Sequence, residues 1–331
     1  MTGQLIANVT ATDKDKGVNS LVSYKITSGD SKKFTIDSNT GVITTSEKLD
    51  REEAASYILV VTARDHGTPS LSSTVSVSVK VLDENDNTPK FSPRFYQASV
   101  LENTAINTNV LRVIATDPDE GTNGLVTFSI LSGNTNGTFT IDNSTGFLSV
   151  KQNLDREANA FYSLLISASD NAPKPKSDFV RVNFTVLDEN DNSPIFVNVA
   201  NFTIVENSAL GTNVGSISAT DSDAGSNGQV RYQIVKGNKK DVFEINPISG
   251  KLTVNGKIDR EKMASYTLTL MASDEGKPAM KTEKDFFITV KDENDNPPEF
   301  DAQEFLGLYA LNYSSRFPHL PKLNVSQAHS T

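Results

Sequence analysis

A five-residue acidic word, Asp-Glu-Asn-Asp-Asn, occurs three times, at Asp83–Asn87, Asp188–Asn192 and Asp292–Asn296. The steps between copies are 105 and 104 residues. An interval of that size divides a 331-residue chain into three domain-sized units, and any proposed fold has to respect it. Units that large bury a core without covalent staples. That suits a chain with no cysteine, in which neither a disulfide framework nor a thiolate zinc cluster is available.

Strand signals fill the space between the words. Val75, Val77, Val79 and Val81 alternate with Thr74, Ser76, Ser78 and Lys80, the period of a half-buried strand. The copies run through Val180, Val182, Phe184 and Val186, and through Phe286, Ile288 and Val290. A second strand reads Tyr57, Leu59, Val61, Ala63, and Tyr162 and Tyr266 open its copies. These tyrosines are expected to be core aromatics. Gly41, Gly146 and Gly250 follow Thr or Ser between β-rich runs and are expected to be turn glycines. No long stretch carries a capped helical period. Short strands at regular spacing in units near this size predict an all-β chain of tandem antiparallel sandwiches.

Four further acidic words keep the same period. They are Glu102-Asn103 and Glu206-Asn207; the Asp-x-Asp pairs Asp13/Asp15, Asp117/Asp119 and Asp221/Asp223; the Asp-Arg-Glu words at Asp50, Asp155 and Asp259; and the single Asp65, Asp170 and Asp274. One Asp-x-Asp is ordinarily a solvated turn, and one Asp-Arg-Glu an ordinary surface charge. Five words in register form a different object. Two unit charges ~5 Å apart repel by roughly 1–3 kcal/mol at the effective dielectrics of a protein surface. Carboxylates gathered at a junction therefore call for a cation. Their partners in these words are Asn oxygens, with no Cys in the chain and, of its three His, only His66 beside a word, at Asp65. That ligand set suits a hard ion such as Ca²⁺ and excludes zinc or copper. An EF-hand loop does not fit, since the sixth position from Asp188 is Ser193, where that loop requires glycine. The net charge of −10 argues against nucleic acid and anionic membrane surfaces as partners.

Together the five words resemble the extracellular cadherin repeat, over residues 2–300. The resemblance implies tandem seven-stranded Greek-key sandwiches with Ca²⁺ held between successive repeats. The expected units are residues 1–87 (lacking a first strand), 88–192 and 193–296, with 297–331 a non-repeat or divergent tail. At the second junction the implied ligands are Glu102, Asp155 and Glu157 from one repeat, Asp188, Glu189, Asn190, Asp191 and Asn192 from the linker, and Asp221, Asp223, Asn227 and Asp274 from the next. Glu189, Asn192 and Asn227 are expected to serve through backbone carbonyls. At the first junction they are Asp50, Glu52, Asp83, Asn85, Asp86, Asn87, Asp117, Asp119, Asn123 and Asp170, without a counterpart of Glu102. Asp13, Asp15, Asn19 and Asp65 at one end, and Glu206, Asp259, Glu261, Asp292, Asn294 and Asp295 at the other, are expected to be half-sites, which suggests a segment of a longer protein.

The even words are similar to interior repeats of the Fat, Dachsous and protocadherin kinds. The implied function is calcium-dependent adhesion on the extracellular side of the plasma membrane, with another cadherin ectodomain as partner in cis or in trans, homophilic or heterophilic. The alternative is a passive calcium-stiffened spacer or tether. With no tryptophan, the tryptophan-swap adhesion of cadherin first repeats is unavailable. No signal peptide or membrane span is visible, so anchoring is expected from the parent protein. A metal-dependent hydrolase is disfavoured, since a catalytic metal keeps an open position and no Gly-x-Ser-x-Gly occurs. Seven Asn-x-Ser/Thr sequons, at Asn8, Asn136, Asn143, Asn183, Asn201, Asn312 and Asn324, are compatible with secretion.

Overall fold

The computed structural model describes residues 2–197 and 200–300. Residues 301–331 of the expected 297–331 tail, with the sequons at Asn312 and Asn324, lie outside them. The described chain is built from β-strands, joined by loops and three one-turn 3₁₀ segments at Gly17–Ser20, Thr135–Gly137 and Lys239–Asp241.

The middle unit shows the plan most fully. One sheet orders its strands Thr127–Ser132, Phe161–Ser169, Ser177–Leu187, Tyr96–Leu101. The first three are antiparallel neighbours, whereas Tyr96–Leu101 lies parallel to Ser177–Leu187, with Tyr96 opposite Val182 and Leu101 opposite Leu187. The facing sheet is Phe139–Ile141, Phe147–Val150, Asn109–Arg112. A short ladder of Lys90–Phe91 with Ala115–Thr116 completes the unit. The last unit repeats this arrangement, with Phe202–Val205 parallel to Lys281–Lys291.

The core is what the alternation dictates. Side chains of period two point to opposite faces of a pleated strand, so Val180, Val182, Phe184 and Val186 are buried while Arg181 and Thr185 face solvent. Phe184 stacks on Phe139 from the other sheet, ring centroids 4.5 Å apart. Tyr162 and Tyr266 are buried and make edge contacts with Phe139 and Phe243 at 5.1 and 5.0 Å. Half-buried Tyr57 meets Phe34 in the same way. The tyrosines are core aromatics, as read. Gly146 has φ +72°, and a Cβ there would stand 2.4 Å from the Val113 carbonyl oxygen. Gly41 and Gly250 repeat the conformation against Val9 and Ile217.

The first unit departs from the alternation. Its sheets are Val22–Ser28, Ser56–Asp65, Ser72–Lys80 and Leu5–Asn8, Val42–Thr45, Phe34–Ile36. Among the described residues no strand pairs with the outer edge of Ser72–Lys80. Val75, which the pattern places on the half-buried face, is 51% exposed, against 3% for its counterpart Val180. The buried apolar cluster shrinks to six residues, where the other two units have seventeen each.

Candidate metal centre

The acidic words stand at strand ends or in the loops beyond them, and folding carries the words of two units to one place. Asp188 follows the last residue of Ser177–Leu187. Its Oδ2 accepts a hydrogen bond from Asn227 Nδ2 and its Oδ1 one from the Ala224 amide, both at 2.8 Å and both from the next unit. Asn192 donates through its amide N (3.2 Å) and Nδ2 (2.7 Å) to the two oxygens of Asp223. Asn190 Nδ2 donates to the Pro278 carbonyl at 2.7 Å and, at 3.4 Å, to buried Asp274. Looking back into the middle unit, Glu102 is only 4% exposed and accepts from the amides of Arg156 (2.8 Å) and Glu189 (2.7 Å). The linker is thus pinned to the next unit by its own side chains and to the middle unit by its Glu189 amide on Glu102.

The carboxylates close in around these pins. Oxygens of Glu102, Asp155 and Glu157 lie within 4.8 Å of one another, as do those of Glu157, Asp188 and Asp223, so Glu157 belongs to two adjoining groups. At the first linker the corresponding group is Glu52, Asp83 and Asp119. Asn123 Nδ2 donates to Asp83 at 2.8 Å, Asn87 Nδ2 to Asp119 at 2.7 Å, and Asn85 Nδ2 to buried Asp170 and the Lys174 carbonyl, each at 3.2 Å. Asp50 and Asp86 stand outside that closest group, as Asp191 does at the second linker. A fourth group, Glu206, Asp259 and Glu261, lies at the far end of the last unit. The side-chain Nδ2 groups of Asn192 and Asn227 donate to Asp223 and Asp188, which fixes both residues at the junction.

Charge crowding registers in the acidities. Burial pushes the Asp117 and Asp221 carboxyls above their ordinary range. Repulsion adds to this, from Asp119 and Asp170 in the first case and Asp223 and Asp274 in the second. Asp191 is raised by desolvation and then by the charges of Glu102, Asp223, Asp155 and Asp188.

Whether these residues fit a hard cation is decided by the oxygens left over. Asp117 Oδ2 and Asn85 Oδ1 at the first junction are buried with no hydrogen-bond donor, and so are Asp221 Oδ2 and Asn190 Oδ1 at the second. A buried oxygen without a partner is costly. The same pair of orphans at both junctions marks a place where something other than a protein N–H is the partner. Carboxylate and amide oxygens, with no nitrogen or sulfur ligand, fit Ca²⁺. The acidic reading of the sequence passed over one participant. Arg51 and Arg156, at the centre of the Asp-Arg-Glu words, sit among these carboxylates. The signal was present in the invariant middle letter of three words that were read only for their acids.

Tandem β-sandwich units joined by acidic linkers define a class of modular repeat proteins. The family model described as "Cadherin domain" matches residues 1–82, 96–187 and 200–291, and the chain belongs to the cadherin family. It is 39% identical over 302 residues to the Fat-like cadherin-related tumor suppressor homolog of Drosophila melanogaster, covering 91% of this chain and 6% of that protein. It is 39% identical over 300 residues to human Protocadherin Fat 1 (90% and 6%) and 38% over 319 residues to human Cadherin EGF LAG seven-pass G-type receptor 2 (96% and 11%). The chain therefore spans a small fraction of the curated relatives it matches. Among solved structures, mouse Cadherin-23 EC22-24 superposes with a TM-score of 0.77 at 32% identity, covering 88% of this chain and 93% of that one. The Protocadherin GammaB4 extracellular domain gives 0.74 at 35% identity, covering 89% and 47%. The family and fold are those of adhesion proteins and not of enzymes.

Proposed function

We propose that this chain is a calcium-stiffened stretch of an adhesion ectodomain on the outer side of the plasma membrane. Its repeats are taken as residues 1–87, 88–192 and 193–296, and its linkers as the hinges that the ion locks. The observation that carries the reading is the recurrence, at two successive junctions, of buried Asp and Asn oxygens with no donor, beside carboxylates drawn from both flanking units. Bound Ca²⁺ would supply the positive charge those oxygens face. At the second junction the residues that would hold it are Glu102, Asp155, Glu157, Asp188, Asn190, Asp191, Asp221, Asp223 and Asp274, with backbone oxygens of Glu189, Asn192 and Asn227. At the first they are Asp50, Glu52, Asp83, Asn85, Asp86, Asp117, Asp119 and Asp170, with backbone oxygens of Asn87 and Asn123.

The chain's own part in the device is orientation. Asn192, Asn190 and Glu102 hold the linker against both flanking units, so the carboxylates of two units converge on one place once their charge is offset. Left uncompensated, that charge drives the units apart. Extracellular modules of this type bind calcium at about 10⁻⁴–10⁻³ M, which matches the outside of a cell and not its cytosol. Small-angle X-ray scattering tests the reading: calcium should narrow the distribution of overall dimensions, and identical curves with and without the ion would refute it. Bead aggregation by the tethered chain then separates recognition from spacing. Calcium-dependent clumping indicates that these repeats engage another cadherin ectodomain, and its absence in a chain that stiffens normally leaves the tether as their role.

A further inference from the structure

The guanidinium of the Asp-Arg-Glu word spans the junction at both linkers that have a described unit on each side. Arg156 forms an ion pair through Nε with Asp188 Oδ1 of the linker (2.5 Å), and Nη2 meets Glu157 of its own unit. The same Nη2 donates at 2.8 Å to the carbonyl of Ser222, the middle residue of the next unit's Asp-x-Asp loop. Arg51 repeats this, with Asp83 at 2.5 Å, Glu52, and the carbonyl of Pro118 at 2.6 Å. Pro118 holds the equivalent place in its own Asp-x-Asp loop. These side chains are 15% and 17% exposed, whereas Arg260 of the third word is 43% exposed and pairs with Asp292 alone among the described residues.

We propose that Arg51 and Arg156 are interrepeat latches, positioning residues that tie linker, own repeat and next repeat together without any ion. Their charge also sets how tightly the junction takes up calcium. A planar, permanently charged fork can serve two carboxylates and a carbonyl at once, which a lysine ammonium on a flexible stem does poorly. Held between Asp188 and Glu157, it offsets part of the repulsion that would otherwise open the hinge. The calcium half of the proposal rests on the function proposed above, since Asp188 and Glu157 are also read as ligands and a fixed positive charge beside them repels the cation. The latch half stands on the contacts alone.

With no cysteine in the chain, spin labels can be placed at exposed Ser144→Cys and Lys239→Cys, one on each side of the second linker. Pulsed dipolar spectroscopy in chelator then reads the spread of inter-unit distances. Arg156→Met should broaden that spread, Arg156→Lys should broaden it too, and Arg260→Met should leave it unchanged. Far-ultraviolet circular dichroism confirms that each variant keeps its sheets. An unchanged spread for folded Arg156→Met overturns the latch. Calorimetric titration with CaCl₂ should show Arg156→Met binding roughly tenfold more tightly than the unmutated chain, while Arg156→Lys, which keeps the charge, stays near it. Equal or weaker binding by Arg156→Met overturns the charge argument. If the unmutated chain takes up no calcium, the function proposed above fails, and the chelator comparison still decides the latch.

Discussion

Asp191 is exposed, and its one side-chain hydrogen bond comes from its neighbour Asn192. Replacing it with Ala should therefore leave the metal-free stability of each unit within ~0.5 kcal/mol, as surface changes do. The same change removes a carboxylate from the second junction and should weaken calcium binding there by roughly tenfold or more. Calorimetry with chemical denaturation reads both, and a large loss of metal-free stability would contradict the assignment. Asp117, Asp191 and Asp221 carry the second prediction at this scale. A carboxyl whose pKa is raised by folding costs stability above that pKa, and the cost fades as pH falls through it. All three are raised, Asp117 and Asp221 by burial and Asp191 by desolvation among the charges of Glu102, Asp223, Asp155 and Asp188. Protons should therefore compete with calcium in a window that lies above the ordinary aspartate range. The rise in melting temperature produced by calcium should shrink across that window, and an increment that stays flat would count against it. The sequence announced these acids by their spacing alone. It could not announce the orphan oxygens of Asn85 and Asn190, because burial is a property of the assembled junction.

At the scale of the element, the turns make a controlled comparison. Gly121 and Gly146 both adopt positive φ, +63° and +72°. A Cβ on Gly121 meets open space, so Gly121→Ala should cost roughly 1 kcal/mol for the left-handed backbone alone. Gly146→Ala also drives a Cβ to 2.4 Å from the Val113 carbonyl oxygen and should cost about 3 kcal/mol or more. Equal losses in urea denaturation would show that the turn yields. Strand identity was legible from period-two alternation in Val180–Val186, because one face of that strand is covered along its whole length. The same alternation in Val75–Val81 misjudged burial at Val75. Alternation reports which face a side chain points to, and burial further depends on what distant part of the chain packs over that position. That part is a long-range partner, which a local pattern does not encode.

For the whole molecule, the unequal cores set the order of melting. With six buried apolar residues against seventeen, the first unit should unfold at a lower temperature than the other two. Hydrogen exchange offers the local version: amides of Ser72–Lys80 on its unpaired side should exchange well before those of Ser177–Leu187. A single transition with uniform protection would contradict both. The three-unit plan was the most legible feature of the chain, since Asp83, Asp188 and Asp292 recur at nearly constant intervals and each follows a long strand. The arginine latch was the least legible, because its partners, the carbonyls of Pro118 and Ser222, belong to backbone that carries no letter of its own. One further consequence lies in the parallel pairing of Tyr96–Leu101 with Ser177–Leu187. Tension along the chain passes the short Lys90–Phe91 ladder, enters the middle unit's larger sheet through Tyr96–Leu101 and leaves through Ser177–Leu187, and these two lie side by side, pointing the same way. Such a pull shears six residue pairs at once in that unit, and four in the next, where a hairpin arrangement would peel them one by one. The geometry that closes each sandwich is also the one that bears load best.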